Sequence, residues 1–191
     1  MDPSEHRPTI RSCGPEEAKM ILEIINGAAA AYQGTIPPEF WRDPYMSPDQ
    51  LDREIARGVS FQGIEAAGRL TGVMGLELVR GMPLIRHAYV RPEHQGSGIG
   101  GALIEHLKRL HAGPMLVGTW SAALWAIHFY ERHDFRLLPR ERAQEALRTY
   151  WDVSERQARC SVVLARASAT AGGRQEAHRS SGWPDLHLLE T

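Results

Sequence analysis

Apolar positions recur along this chain with two periods. Met20, Ile21, Ile24, Ile25 and Ala28 follow three- and four-residue steps, which predicts one buried side of a helix running to about Tyr32. Pro15 suits its first turn, and Glu16 and Glu17 sit favourably beside its positive end. Thr9 to Cys13 precedes it as a first strand. Ser47, a good N-cap with Pro48 after it, opens a second helix to about Arg57. Then the period drops towards two. Val59 to Ala66 and Leu70 to Val79 read as strands joined by a tight turn at Ala67 to Arg69. In the second of them Val73, Gly75, Glu77 and Val79 share one face, while Met74, Leu76 and Leu78 share the other. Gly81 and Pro83 turn the chain into a third strand, Leu84 to Val90, where His87 is expected on one face with Ile85 and Tyr89.

The helical period returns at Ile99, Leu103, Leu107 and Leu110. Pro114 to Thr119 is a short strand, about Ala122 to His133 a helix, and Phe135 to Leu138 another strand. Arg140 to Tyr150 places Ala143, Ala146, Leu147 and Tyr150 on one side of a helix, and Ser161 to Ala165 forms a last strand. The pattern predicts one α/β domain over residues 1–167, with strands that run largely as antiparallel hairpins. From residue 168 to 191 the chain is rich in Ser, Gly, Ala and Arg, which predicts a flexible tail, because such a composition buries too little apolar area to offset chain ordering. Trp183, Leu186, Leu188 and Leu189 are its candidates for docking on the domain or a partner.

Bulk properties change this picture little. A formal charge of −1 over 191 residues supplies no general attraction to nucleic acid or an anionic membrane. Cys13 and Cys160 form no CxxC or metal-type spacing and read as reduced thiols of a cytoplasmic protein. The start, MDPSEHRPTI, has no apolar leader core, and no apolar run approaches a membrane span. The histidines at 94, 106, 111, 128 and 133 form no HxxxH pair with an evident third ligand, so no metal site is expected. From Gly34 to Pro48 the sequence GTIPPEFWRDPYMSP carries four prolines with Phe40, Trp41 and Tyr45. It is either a substrate-facing wall or a plug at the edge of the core.

The strongest chemical signal lies at Gly96, Gly98, Gly100 and Gly101, just where the central helix begins. A glycine-rich corner opening a helix leaves unpaired N–H groups at the positive end of the dipole, an arrangement suited to phosphate. Gly96, Gly98 and Gly101 also satisfy GxGxxG. A dinucleotide site, however, wants the corner directly after its strand and an acidic residue at the end of the next strand to hold a ribose. Here Arg91, Pro92, Glu93, His94 and Gln95 intervene, and the next strand ends in Gly118, Thr119 and Trp120. A P-loop fails for want of Gly-Lys-Ser/Thr.

The corner Gln95-Gly96-Ser97-Gly98-Ile99-Gly100 closely resembles the Q/R-x-x-G-x-G/A signature of the GCN5-related N-acetyltransferases. Downstream, AIHFYERHDF from Ala126 to Phe135 is similar to that family's A-x-x-x-Y-E-x-x-G-F segment. The resemblance extends in element order from about Pro8 to Ala167. It implies an acyl-CoA N-acyltransferase fold: a central mixed, mostly antiparallel sheet with a splayed strand pair, flanked by helices. It also implies acetyl-CoA as co-substrate, with its pantetheine arm along Tyr89 and Val90 and its pyrophosphate on the backbone of Gln95, Gly96, Ser97, Gly98, Ile99 and Gly100. The implied reaction is transfer of the acetyl group to a primary amine of a small-molecule or peptide acceptor, by direct attack in a ternary complex. Tyr130 matches the tyrosine that protonates the departing thiolate. Dimerisation is common among such proteins, so a homodimer is a further implication.

Three positions depart from the family pattern. Ala123 stands where many relatives carry an asparagine near the cofactor, Asp134 replaces the glycine before Phe135, and Gly118 lies where some place a glutamate base. The base must come from elsewhere or be water, and Glu77 and His87, both ionisable residues on central strands, are the candidates. The opposing reading is a non-catalytic acyl-CoA-binding or sensing domain that kept the corner and lost the chemistry.

Overall fold

A computed structural model describes residues 9–66 and 68–168. Strand β1 (Thr9–Ser12) leads through a 3-10 turn into helix α1 (Ala18–Ala29), and α2 (Pro48–Ala56) follows the proline-rich segment. Three strands come next, β2 (Ser60–Ala66), β3 (Arg69–Val79) and β4 (Met82–Val90), then α3 (Ile99–Leu110) and β5 (Met115–Trp120). The chain closes with α4 (Leu124–Glu131), β6 (Arg136–Leu137), α5 (Arg140–Tyr150), a short α6 (Glu155–Arg159) that periodicity did not reveal, and β7 (Ser161–Arg166). The tail read from composition, with Trp183, Leu186, Leu188 and Leu189, lies outside the described residues except for Ser168.

The strands form one sheet in the order β1-β2-β3-β4-β5-β7-β6. Every neighbouring pair is antiparallel except β4 and β5, which run parallel. Helices cover both faces. On one, α3 and α4 bury Leu103, Ile104, Leu107 and Ile127 against Met74, Leu76, Ile85 and Val117. On the other, α1 and α2 bury Ile21, Ile24, Ile25 and Leu51 against Phe61, Leu70 and Val73, while α5 and α6 cover Leu84, Leu116 and Val163. The predicted alternation in β3 holds, for Met74 and Leu76 join the α3/α4 side and Val73 the α1/α2 side.

Two local features of β4 differ from expectation. The turn before it is Arg80–Gly81, both left-handed at φ +52° and +81°, while Pro83 already pairs with Leu78 inside the strand. Two positive φ values give the primed turn whose twist suits a two-residue hairpin. Further on, Gly75 pairs with Arg86 but Val73 pairs with Tyr89, so His87 and Ala88 share the space opposite Met74. This is a β-bulge, and His87 sits in it at φ +48°. The extra residue shifts the alternation: His87 joins Arg86 and Tyr89 on the α1/α2 side, where it stacks on Phe61, and Ile85 stays with the α3/α4 core. The predicted shared face of His87 and Ile85 is thereby corrected.

Candidate active site

β4 and β5 pair only at Leu84 with Leu116 and Ile85 with Val117, at the start of β4. Beyond them the strands part, and the edge of β4 from Arg86 to Val90 that faces β5 has no strand beside it. The gap lies in the middle of the sheet.

On the α3/α4 side, past the end of β4, lies the glycine corner. Gly96 and Gly98 adopt φ +77° and +85° with open space around them, so they serve the backbone conformation. Gly100 and Gly101 serve packing, for a Cβ there would meet the Phe129 ring at 3.2 Å and the His133 ring at 3.2 Å. Gly72 has the same role from the sheet, where a Cβ would come within 2.6 Å of Ile99 Cγ2 and lift α3 off β3. Among the described residues, no backbone N–H from 96 to 101 has a partner, whereas Ala102 N–H donates to Gly98 O at 2.9 Å. The corner is held by Ser97 Oγ donating to His94 O and Gln95 Nε2 donating to Val90 O at 3.3 Å. A row of free donors at the dipole's positive end fits a pyrophosphate without any cationic side chain.

On the α1/α2 side the gap opens into a cleft of about 500 Å³. His87, Tyr89 and Arg86 form its β4 wall, Glu54 and Arg53 of α2 its rim, and Trp120 and Gly118 of β5 its far wall. The proline-rich segment contributes Phe40, Arg42 and Tyr45 to the lining, which favours the substrate-wall reading of that stretch. The same segment also packs: Tyr32 stacks on Tyr45 at 5.9 Å, Phe40 lies 5.2 Å from Trp120, and Trp120 Nε1 donates to the Tyr45 hydroxyl at 3.5 Å. Wall and plug are one structure here. Burial, then the neighbouring Tyr45 hydroxyl, raises Tyr32 to about 12, and the same causes with Tyr32 added hold Tyr89 well above the ordinary phenol range. Tyr32 and Tyr89 therefore remain neutral donors at the mouth of the gap.

His87 is bonded through Nε2 to Glu54 Oε2. Glu54 escaped sequence reading because it lies 33 positions away on a polar helix, although its spacing from buried Leu51 is a weak inward signal. Burial pushes the Glu54 carboxyl up, but the His87 hydrogen bond and charge, with Arg86 and Gln50, outweigh it and bring it to about 2. That value lies below the ordinary 4.5, so the stabilisation is complete above the carboxylate range and is lost as pH falls from 4.5 towards 2.

Glu77 does not line the cleft. It is buried between Arg86 Nη1, at 3.1 Å from Oε2, and Arg57 Nε, at 4.0 Å from Oε1. The first contact is an ion pair without hydrogen-bond alignment, since Oε2 has no hydrogen bond.

Tyr130 is buried on the α3/α4 side, edge-on to Phe129 at 5.1 Å and Phe135 at 5.8 Å. Its hydroxyl has no hydrogen-bond partner among the described residues. Burial, then the nearby Tyr32 hydroxyl, holds the phenol far above its ordinary range, so it keeps its proton at any working pH.

The three departures have structural reasons. Ala123, fully buried at the start of α4, packs with Ile36 and Trp120 in an apolar cluster. Asp134 takes the left-handed conformation that glycine would, at φ +67°, and its carboxylate accepts from Lys108 Nζ at 2.7 Å. Gly118 is occupied from outside: a Cβ would meet the Trp151 ring at 3.3 Å. Gly118→Glu is expected to displace Trp151 and lower stability by about 1–3 kcal/mol, read as a shift in the denaturant midpoint.

Comparison with known proteins agrees with this architecture. A family model described as the acetyltransferase (GNAT) domain matches residues 59–137, which span β2 to β6 and include the bulge, the gap and the glycine corner. The fold is that of the GNAT acyl-CoA N-acyltransferases. None of the curated proteins matches it by sequence. Among solved structures, the GNAT fold is shared with the PaiA N-acetyltransferase of Thermoplasma acidophilum in complex with coenzyme A, at 18% identity and TM-score 0.65, covering 84% of this chain and 99% of that one. The ribosomal-protein-S18-alanine N-acetyltransferase of Escherichia coli aligns at 16% identity and TM-score 0.64, over 90% of this chain and 100% of that one. The N-acetylglutamate synthase of Neisseria gonorrhoeae, complexed with coenzyme A and N-acetyl-glutamate, aligns at 19% identity and TM-score 0.56, over 85% of this chain and 35% of that one. The GNAT fold thus comes with several acceptors, and the acceptor must be argued from the cleft. Among the described residues no helix is long and apolar enough to cross a membrane, and no three His, Cys, Asp or Glu side chains gather as metal ligands.

Proposed function

We propose that this chain is an acetyl-CoA-dependent N-acetyltransferase acting on a primary amine by direct attack in a ternary complex. The observation that carries the reading is the gap between β4 and β5, with free N–H donors on one side and a cleft lined by His87 on the other. The unpaired edge at Tyr89 and Val90 can hydrogen-bond the amide-rich pantetheine arm as a strand would, and the N–H groups of Gly96, Ser97, Gly98, Ile99 and Gly100 can take the pyrophosphate, whereas the Gln95 N–H expected with them is already donated to Pro92 O at 3.3 Å. The thioester then lies in the gap and the amine arrives from the cleft. His87 takes a proton from the incoming ammonium. The freed nitrogen forms its bond to the acetyl carbon, the C–S bond breaks and the thiolate takes the Tyr130 proton, while the acetylated nitrogen sheds its second proton, which returns Tyr130 to the neutral phenol directly or through water. We place the base on His87 over Glu77 because only His87 lines the cleft.

The test is thiol release from acetyl-CoA with a panel of small amines and peptide N-termini, beside a calorimetric titration of acetyl-CoA. Saturable binding with amine-dependent thiol release is expected. Binding without turnover across the panel would replace catalysis by a non-catalytic acyl-CoA sensor, and absence of binding would remove both readings.

A further inference from the structure

We propose that Glu54 is a positioning residue for the base: its carboxylate holds one nitrogen of the His87 imidazole, so that the other faces the cleft as a proton acceptor. This rests on the acetyl-transfer reading above. Glu54 belongs to α2, whose nine residues send only Leu51 and Glu54 into the buried layer. A buried carboxylate is costly without partners. Here Oε2 meets His87 Nε2, Oε1 accepts from Gln50 Nε2 at 3.3 Å, and Arg86 Nη2 lies 3.8 Å from Oε2. The imidazole is fixed on further sides by the left-handed bulge backbone and by Phe61, stacked at 6.0 Å and 25°. A carboxylate can only accept, so neutral His87 carries its proton on Nε2 and leaves a lone pair on Nδ1. Nδ1 has no partner among the described residues, and the residue lines the cleft.

The charge arrangement separates this role from a purely structural ion pair. Glu54 and Glu77 are two buried carboxylates, and Arg86 and Arg57 already stand beside them as two guanidinium groups. His87 need not be charged to balance them. It can therefore rest neutral and become an imidazolium when it takes the amine proton, at which point Glu54 stabilises the new charge. The remaining charged groups lining the cleft are Arg53 from α2, Arg42 from the segment before it, Glu39, and Asp152 beyond α5. Glu39 is bound to Arg156 at 2.7 Å. All of them stay in place in the test below, so any change in pH response comes from Glu54.

The first measurement needs no turnover. A long-range proton–nitrogen spectrum of the histidine-labelled full chain at alkaline pH should show His87 protonated on Nε2 and bare on Nδ1, with that preference weakened in Glu54→Ala. An Nδ1–H tautomer in the parent chain overturns the proposal whether or not acetyl transfer occurs. The second is kinetic. Glu54→Gln should lower kcat about 10- to 100-fold, the worth of a hydrogen bond to a charged group, and move the acid limb of kcat/KM to lower pH, with acetyl-CoA binding unchanged. Glu54→Asp should recover part of kcat. In a His87→Gln background, Glu54→Gln should cost nothing further. An unaltered pH profile, or an equal loss in both backgrounds, overturns the proposal. Thermal denaturation of each variant identifies any loss that comes from unfolding.

Discussion

His87→Gln is expected to lower kcat for acetyl transfer by about 10²- to 10⁴-fold, the range a positioned general base contributes, with no change in acetyl-CoA binding. Glutamine fits the volume and still donates to Glu54, so the cleft wall survives while the proton acceptor is lost. Acceptor amines are largely protonated near neutrality, and an ammonium cannot attack a thioester. The variant should therefore regain rate as pH rises towards the amine's own range, and the acid limb set by the imidazole should disappear from its kcat/KM profile. Stopped-time thiol release across pH, with a calorimetric acetyl-CoA titration, reads both quantities. A His87→Gln chain with the parent's profile would mean that water or another group takes the proton.

Tyr130→Phe is expected to lower kcat by a similar factor of about 10²–10⁴ with acetyl-CoA binding intact, for it removes one hydroxyl and leaves the packing against Phe129 and Phe135. Because burial holds the phenol protonated far beyond its ordinary range, the parent's profile should show no alkaline fall from Tyr130 ionisation. The loss in the variant should ease with acyl donors whose thiols are more acidic, since such leaving groups depart without a proton. Equal losses for thiols of every acidity would assign Tyr130 to packing alone.

Both residues were open to sequence reading, but to different depths. Tyr130 is marked by a local segment, AIHFYERHDF, and the glycine corner by its spacing before Ile99, Leu103 and Leu107. His87 could be listed only as an ionisable residue on a central strand, with Glu77 as its equal. What separates them is the bulge at His87–Ala88, which arises because β3 and β4 resume pairing one residue out of step. Strand alternation assumes an unbroken register, so it assigned His87 to the face of Ile85. Similarly, nothing near Gly118 announces Trp151, which reaches it from the far end of α5.

The sequence by itself determined the order and type of the elements other than α6, their class as a sheet flanked by helices, and a phosphate-suited corner, because hydrophobic period, capping residues and glycine or proline punctuation act over a few neighbours. Tertiary structure alone decided which side chains meet. The parting of β4 from β5 depends on where their pairing stops, the Glu54–His87 contact on how α2 packs over the sheet, and the division of labour among the glycines on Phe129 and His133 lying against α3. These are encounters between segments tens of residues apart, set by packing geometry in three dimensions, for which a linear pattern carries no register.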